Sequence, residues 1–286
     1  MITNIKHLCY ILKTDINTIE NIIDKINAHY ISWEKKKFDK DTNQPILVSG
    51  KPKIRQLNST KIELKKIQKR ISKFLLANVE LPEYAYGGIS KRDNVLNAKQ
   101  HQGNKYIFIT DLKSYFPSIS HNQVFDLFLE LVFSPTISRI LTQLTTYKYQ
   151  VPQGVPTSTL LANLVFKKTG DKISEFAKSN QMKFTTFVDD LTLSSKTDFK
   201  DKIPAIIEIL SNDGYKISHK KTSYKTKNPI ITGIICQNNK LKLKNSFYKR
   251  ISCLEKQKKT ESDNLIIENK HKGLLQYCKK IDTINA

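Results

Sequence analysis

The sequence of 286 residues predicts an α+β fold with helical additions at both ends. Segments with apolar residues at helical spacing alternate along the chain with short runs of β-branched and aromatic residues, which is the pattern of mixed helices and strands. Hydrophobic residues make up 39% of the chain and aromatic residues 9%. These fractions allow a substantial core and exceed those of a disordered chain.

The N-terminal elements are predicted from periodicity and turn residues. Residues 1–36 have isoleucines at helical spacing and are predicted to be helical. Residues 44–58 contain two prolines and a glycine among short β-type runs, which indicates a hairpin. Residues 60–79 return to helical spacing, and a loop with a Gly-Gly pair follows.

The central elements include the most strand-like segments of the chain. Tyr106–Asp111 is a continuous run of β-branched and aromatic residues and is predicted to be a buried strand. Two helices are predicted within residues 121–146, and a long helix over Thr157–Lys178. Residues 183–194 predict a β-hairpin, because two alternating runs flank the acidic pair Asp189-Asp190, which we expect at the turn.

The C-terminal third is predicted to be mostly helical. Residues 199–212 predict a helix that ends before Gly214, and residues 229–243 predict a second hairpin around Asn238-Asn239. The tail from 246 to 283 is predicted to be helical and basic.

The net charge of the chain indicates which class of partner it binds. Lys plus Arg number 48 and Asp plus Glu 26, which gives a formal net charge of +22. Such a surplus favours nucleic acid as partner, although a lysine-rich proteome would also produce it. No run approaches the roughly 20 apolar residues of a membrane span, so we expect no membrane partner. The four cysteines form no CxxC pair, which fits a reducing cytoplasm rather than a disulfide framework.

Three acidic residues lie where solubility alone would not place them. Asp111 ends the predicted buried strand, and Asp189 and Asp190 occupy the tip of a hairpin between apolar strands. Carboxylates at such strand ends can hold two Mg²⁺ ions, which prefer hard oxygen ligands and serve phosphoryl transfer. The alternative is that Asp-Asp is simply a good turn pair.

Three motifs resemble those of reverse transcriptases. Phe187–Asp190 (FVDD) resembles the YxDD box, with Phe in place of Tyr. Asp111–Ile119 resembles the strand-loop motif of the first metal aspartate, and Val151–Leu164 resembles the PQGxPxSPxLxNL motif. Two further motifs resemble those of retron reverse transcriptases: Asn97–His101 is similar to NAxxH, and Ile231–Gly233 is similar to VTG with Ile for Val.

The resemblance implies the roles of the acidic residues. Asp111 and Asp189 would bridge two Mg²⁺ ions, with the carbonyl oxygen of Leu112 as a further ligand. Asp190 would complete the catalytic acidic set.

The resemblance also implies a nucleotide site for dNTP substrates. Phe116 matches a steric gate that excludes a 2′-hydroxyl, although it could instead be a core residue. Gln153 and Gly154 match the loop that closes on nucleotide and template.

Basic residues complete this nucleotide site. Lys53 and Arg55 match residues that grip the triphosphate, although the family's proline after that arginine is absent. Lys221 matches a lysine that neutralises or protonates the pyrophosphate, with Lys220 as its rival. Asn97 and His101 would be structural or RNA-contacting.

Taken with these motifs, the α+β pattern implies a right-hand polymerase with a mixed or antiparallel palm sheet and helical fingers and thumb. Residues 1–235 would form the interleaved fingers and palm, and residues 236–286 a short helical thumb. The resemblance implies an RNA-directed DNA polymerase, a nucleotidyltransferase that copies a structured non-coding RNA from a 2′-hydroxyl into branched RNA–DNA (msDNA). Such systems act in antiviral defence with a separate effector protein, and a higher-order ribonucleoprotein complex is compatible with this.

Other functions stay open at this point. Abortive-infection, intron and diversity-generating reverse transcriptases share the polymerase motifs. A catalytically inactive RNA-binding protein would share the charge, although it would not need all three aspartates.

Overall fold

A computed structural model describes residues 4–39, 44–260 and 264–285. Its helices are α1 (Ile5–Leu12), α2 (Ile16–Asp24), α3 (Ile26–His29), α4 (Ile62–Arg70), α5 (Asn94–Lys99), α6 (Tyr115–Ser118), α7 (His121–Glu130), α8 (Pro135–Thr145), α9 (Ser158–Ser179), α10 (Ile203–Asn212), α11 (Asn245–Thr260) and α12 (Leu265–Asn285). Its strands are β1 (Tyr30–Lys36), β2 (Leu47–Val48), β3 (Lys51–Pro52), β4 (Ile54–Thr60), β5 (Tyr106–Asp111), β6 (Lys183–Phe187), β7 (Asp190–Ser195), β8 (Ser223–Lys225), β9 (Ile230–Ile231), β10 (Ile234–Cys236) and β11 (Leu241–Leu243). A π-helical turn at Ile71–Leu76 continues α4, and 3₁₀ turns lie at Lys200–Lys202 and His219–Lys221.

The chain divides into two compact units, each built from separated segments. The first unit contains Met1–Glu83, Lys113–Lys172 and Leu210–Lys216, and the second contains Tyr84–Leu112, Ile173–Ile209 and Ile217–Ala286. No helix in the described ranges is both long and apolar enough to span a membrane.

Helix starts in the first unit are fixed by capping side chains. Asp15 caps α2 by accepting a hydrogen bond from the Thr18 amide at 2.8 Å. Ser120 and Gln123 form a reciprocal capping box at the start of α7. These side chains satisfy amides that have no partner inside a helix, and each cap contributes about 1 kcal/mol.

An antiparallel ribbon of β1 and β4 projects from a buried polar network in the first unit. Tyr30 pairs with Thr60 at the base of the ribbon, and the Tyr30 ring stacks on Tyr147 with centroids 4.2 Å apart. Fully buried Gln68 donates to the Leu144 carbonyl at 2.9 Å and to the Tyr30 hydroxyl at 3.1 Å, and accepts from Thr60 at 3.1 Å. The network therefore fixes the ribbon to the helices behind it.

A four-stranded antiparallel sheet with the order β6-β7-β5-β8 is the centre of the second unit. Ala85 adds one parallel bridge to Thr186 on the edge strand β6. A second sheet, ordered β11-β10-β9, packs with α5 and α12 around one apolar cluster, whose buried members include Val95, Ile107, Ile234 and Ile281.

Most predicted elements are confirmed, with three corrections. The strand over 106–111 and the long helix after Pro156 are confirmed within a residue. Residues 30–36 are a strand rather than helix, because they pair with residues 54–60. The acidic turn consists of Val188 and Asp189, since Asp190 already pairs in β7. The second hairpin is confirmed but gains a third strand, β9.

The helical tail is confirmed as α11 and α12 where it is described, and residues 261–263 of that prediction lie outside the described residues. The mixed helix and sheet fit the predicted class. The division into fingers, palm and thumb stays a prediction.

Candidate active site

Asp111 and Asp190 face each other at the end of the central sheet. Asp111 is the last residue of β5, and its direct partner across the antiparallel pair is Asp190, the first residue of β7. Directly opposed residues in such a pair have Cβ atoms about 4.5–5.5 Å apart and point to the same face. Asp111 is only 6% exposed. Two like charges on this pair in a partly buried place would favour the binding of a cation.

The β6–β7 turn is held by contacts on two sides. The Asp189 carbonyl accepts a hydrogen bond from the Leu112 amide at 2.9 Å, which ties the turn to the chain leaving β5. Val188 has φ of 59°, an outlier for a β-branched residue. A Cβ on Gly87 would lie 2.5 Å from the Val188 amide nitrogen, so only glycine fits against this turn. The strained turn is therefore fixed by its surroundings, which is typical of functional sites.

Lys221 brings a positive charge to this acidic pair. It ends the 3₁₀ turn at His219–Lys221, and its Nζ donates to Asp111 Oδ1 in an ion pair. The Ser218 amide donates to the Asp111 carbonyl at 2.7 Å and positions this turn beside β5. Of the two rival lysines, Lys221 is the one in contact with the first aspartate.

The chemistry of these donors fits a hard divalent cation. Across the described part of the chain, no group of three or more His, Cys, Asp or Glu side chains is arranged to hold a metal ion. Mg²⁺ nevertheless needs only one or two protein carboxylates, because water and phosphate oxygens supply the rest. The ammonium group against Asp111 shows that a cation can contact this carboxylate.

Phe116 belongs to the first unit and is half-buried rather than part of a closed core. Its ring lies against buried Tyr115, with centroids 5.6 Å apart. Tyr115 is fixed in turn by a 2.9 Å hydrogen bond to the Ala162 carbonyl and by the ring of Tyr215. Phe116 thus presents a partly exposed ring on a rigid support, which is compatible with the predicted gate.

The loop that carries Gln153 and Gly154 is docked on the ribbon. The Asn58 amide donates to the Gln153 carbonyl at 2.8 Å. Gly154 has φ of 110°, and a Cβ there would lie 2.7 Å from the Asn58 carbonyl oxygen, so glycine is required. Arg55 is exposed on the same strand as Asn58, and Lys53 is exposed just before it. The first unit thus places three of its five predicted nucleotide-site residues on the ribbon and the loop docked on it, with Lys53 directly before β4.

The sequence did not predict a face of this ribbon that carries the exposed ring of Trp33, which we call the aromatic face. Ile31, Trp33 and Lys35 alternate along β1 and share a face with Arg55 and Leu57 of β4, because opposed residues point the same way. Trp33 is the one tryptophan of the chain and is 42% exposed. The alternation in Tyr30–Lys36 could have revealed it, had the segment not been predicted as helix.

His101 is a buried structural residue. It is 0% exposed, and its ring nitrogens lie 2.7 Å from Ser194 Oγ and 2.7 Å from Thr185 Oγ1, on the two strands of the acidic hairpin. Asn104 also donates to Ser194 Oγ at 2.8 Å. Burial, together with Lys183, lowers the pKa of His101 to about 3, so the ring is neutral. The structure favours the structural alternative, because this side chain has no surface to offer to RNA.

Asn97 is also interior, at 1% exposure, and its Nδ2 donates to Thr232 Oγ1 at 3.5 Å. The NAxxH-like motif (Asn97–His101) and the VTG-like motif (Ile231–Gly233), which are far apart in sequence, are therefore in contact. Asn94 joins them and was not predicted, because nothing in the sequence distinguishes it from other asparagines.

Comparisons with known proteins agree with the geometry of the site. Residues 34–264 match the protein family described as "Reverse transcriptase (RNA-dependent DNA polymerase)". The Retron Se72 reverse transcriptase of Salmonella heidelberg (strain 579083-10) is 32% identical over 199 residues, which cover 68% of this chain and 52% of the relative. The Retron Ec86 reverse transcriptase of Escherichia coli is 33% identical over 195 residues, covering 66% and 60%. The chain thus spans between half and three-fifths of the length of these relatives.

Proposed function

Because the chain belongs to the reverse transcriptase (RNA-dependent DNA polymerase) family, we propose that it is an RNA-directed DNA polymerase, a nucleotidyltransferase that uses dNTPs. The observation that carries the proposal is the direct pairing of Asp111 with Asp190 on adjacent strands, beside a turn that holds Asp189. Family membership alone would not distinguish an active enzyme from an inactive descendant, whereas a retained acidic set favours the enzyme.

Asp111, Asp189, Asp190 and the Leu112 carbonyl would hold two Mg²⁺ ions. When bound, these ions stabilise the attacking and leaving oxygens of nucleotidyl transfer. Lys221 forms an ion pair with Asp111. Its ammonium group would neutralise or protonate the departing pyrophosphate.

The first unit supplies the residues for nucleotide selection. Lys53 and Arg55 would contact the triphosphate, and the loop at Gln153 and Gly154 would close on nucleotide and template. Phe116 would exclude the 2′-hydroxyl by occupied volume, since its ring is supported from behind by Tyr115.

RNA binding is supported by charge and by the aromatic face. A net charge of +22 favours phosphate contacts whose strength falls steeply with salt. Trp33, with Lys35 and Arg55 on the same face, offers a stacking surface flanked by cations. This combination suits unpaired RNA, because side chains cannot read the deep major groove of an RNA duplex.

The similarity to relatives named retron reverse transcriptases supports a finer proposal. The template would be a structured non-coding RNA, primed from a 2′-hydroxyl, and the product branched RNA–DNA (msDNA). A separate effector protein, a role in antiviral defence, a higher-order ribonucleoprotein complex and a cytoplasmic location belong to the same proposal.

Primer extension tests the polymerase. The purified protein should extend a DNA primer on an RNA template with Mg²⁺ and dNTPs, and the chain with Asp189→Asn and Asp190→Asn should not. Absence of extension by the unaltered chain would favour the inactive RNA-binding alternative.

Sequencing the nucleic acid that copurifies with the protein tests the retron proposal. Branched RNA–DNA from an inverted-repeat RNA encoded beside the gene would support it. Linear products of other templates would favour an abortive-infection, intron or diversity-generating enzyme.

A further inference from the structure

The segments around the NAxxH-like motif (Asn97–His101) and the VTG-like motif (Ile231–Gly233) meet helix α12 in the second unit. Hydrogen bonds join the three segments, and neither motif has a catalytic role. Asn94 Nδ2 donates to the Thr232 carbonyl at 3.1 Å and to the Tyr277 hydroxyl of α12 at 2.6 Å. Thr232 Oγ1 donates back to the Asn94 carbonyl at 3.1 Å. Asn97 Nδ2 donates to this threonine hydroxyl. We call Asn94, Asn97, Thr232 and Tyr277 the junction.

The backbone of Thr232 is strained, and the hydrogen bonds of its hydroxyl explain why a threonine occupies this position. Its φ is 47°, in the left-handed region where a β-branched residue is an outlier. Glycine would adopt this conformation without strain, and Gly233 with φ of 92° already does so next door. Only the threonine hydroxyl, however, can bond to Asn94 and Asn97. Strain that surrounding contacts maintain marks a candidate functional position.

Further bonds fix the C-terminal end of α12 beside the junction. Lys280 pairs with Asp93, which also caps α5. Lys99 donates to the Ile284 carbonyl at 2.9 Å, and Asn285 bonds to both the amide and the carbonyl of Leu241 at 2.8 and 2.9 Å. The buried Ile281 lies in the apolar cluster between these bonds.

The opposite end of α12 has a different setting. Leu265 and Ile266 are 70% and 66% exposed, and Lys258 and Glu255 of α11 pair with Glu268 and His271 of α12. The helix is thus bonded to α5 and β11 at one end and to its neighbour α11 at the other. A small rotation at the junction would move the exposed end of a 21-residue helix by a larger distance.

We propose that the junction is a latch that sets the position of α12, and that Asn94, Thr232 and Tyr277 are positioning residues for the template–primer grip. The proposal rests on the proposed function and on the prediction that residues 236–286, which include this helix, form the thumb. Exposed lysines of α12, such as Lys270, Lys272 and Lys279, can contact phosphates. Displacing α12 therefore shortens each encounter with the template, while the acidic pair on β5 and β7 keeps its geometry.

The test compares three substitutions with a matched control. Thr232→Val removes the hydroxyl and keeps the strain, whereas Thr232→Gly removes both. Tyr277→Phe removes only the partner hydroxyl on α12, and Tyr248→Phe is the control on α11, where the side chain is 53% exposed. Each protein is measured for melting temperature, single-nucleotide addition, product length in a single encounter under a heparin trap, and hydrogen exchange of α12 without nucleic acid.

The proposal expects Thr232→Val, Thr232→Gly and Tyr277→Phe to shorten single-encounter products severalfold. Exchange protection in α12 should fall about fivefold, the factor equivalent to one net hydrogen bond. Single-nucleotide addition should stay within about twofold of the unaltered chain, less than the roughly fivefold effect of one net hydrogen bond. The reason is that the pairing of β5 with β7, which holds the acidic pair, involves no residue of the junction. Thr232→Gly should keep a melting temperature near that of the unaltered chain, because relief of strain offsets the lost bonds.

A merely structural role gives the opposite pattern. Product length would then follow the melting temperature, so that Thr232→Gly would behave like the unaltered chain, and this would overturn the proposal. Unchanged exchange of α12 in Thr232→Val and Tyr277→Phe would also overturn it. If the unaltered chain extends no primer, the proposed function fails, and the exchange data still decide whether the latch exists.

Discussion

Replacing His101 by Gln should remove the part of the stability loss in mild acid that this buried histidine causes. The His101 ring is fully buried, and burial lowers its pKa from the ordinary 6.5 to about 3. Between pH 6.5 and 3 the unfolded chain therefore binds a proton that the folded chain does not. Since stability rises with pH wherever the unfolded state binds more protons, the folded state loses stability as the pH falls through this window.

The magnitude follows from the two pKa values. Each pH unit in the window is worth about 1.36 kcal/mol, so the loss attributable to His101 between pH 7 and pH 5 is about 2 kcal/mol. Glutamine has no proton to bind in this range. At pH 7 the variant should be about 1–3 kcal/mol less stable, because the contacts to Ser194 and Thr185 are imperfectly replaced.

Urea denaturation of both proteins at pH 7 and pH 5 measures this difference. The two free energies of unfolding should converge by about 2 kcal/mol at the lower pH. Equal losses in the unaltered chain and His101→Gln would refute the assignment of a buried neutral ring. They would return His101 to the set of candidate RNA contacts.

Three further outcomes follow from the site. Asp189→Asn with Asp190→Asn should leave a folded protein with no detectable primer extension, because a neutral amide is a poor ligand for Mg²⁺; full-length product would exclude these residues from the metal site. Phe116→Val should lower the preference for dNTP over rNTP at least about tenfold in primer extension, and an unchanged ratio would make this ring a packing residue. Unpaired RNA should quench the intrinsic fluorescence of Trp33, the chain's one tryptophan, and Trp33→Leu should weaken its binding about 5- to 150-fold; binding with no quenching would place the RNA elsewhere.

The local elements were predictable because their signals are local. The strand Tyr106–Asp111 and the helix α9 have continuous patterns that need no distant partner for recognition. The strand Tyr30–Lys36 was predicted wrongly, because the helix indicated by isoleucines up to Ile26 was extended to residue 36. Its identity depends on pairing with residues 54–60, which a local pattern does not reveal.

The sequence predicted which residues form the acidic site, but it did not predict how they are arranged in space. The motifs selected the aspartates, but the one-residue shift of the turn arises from the left-handed Val188 beside Gly87. Lys220 and Lys221 are equivalent in sequence, and the direction of a single 3₁₀ turn decides which one meets Asp111. His101 gave no signal of burial, because its partners Thr185 and Ser194 lie more than 80 residues away.

The division into two units also has a consequence for how the chain acquires its structure during synthesis. The first unit is completed only by Leu210–Lys216, and the central strand β5 pairs with β7 and β8, which begin at Asp190 and Ser223. Such non-local pairing slows folding, because long loops must close before their contacts form. Neither unit can be released by a single cut in the chain. The ribosome must therefore deliver most of the sequence before either core can close, and the apolar β5 segment stays exposed to chaperones and to aggregation until then.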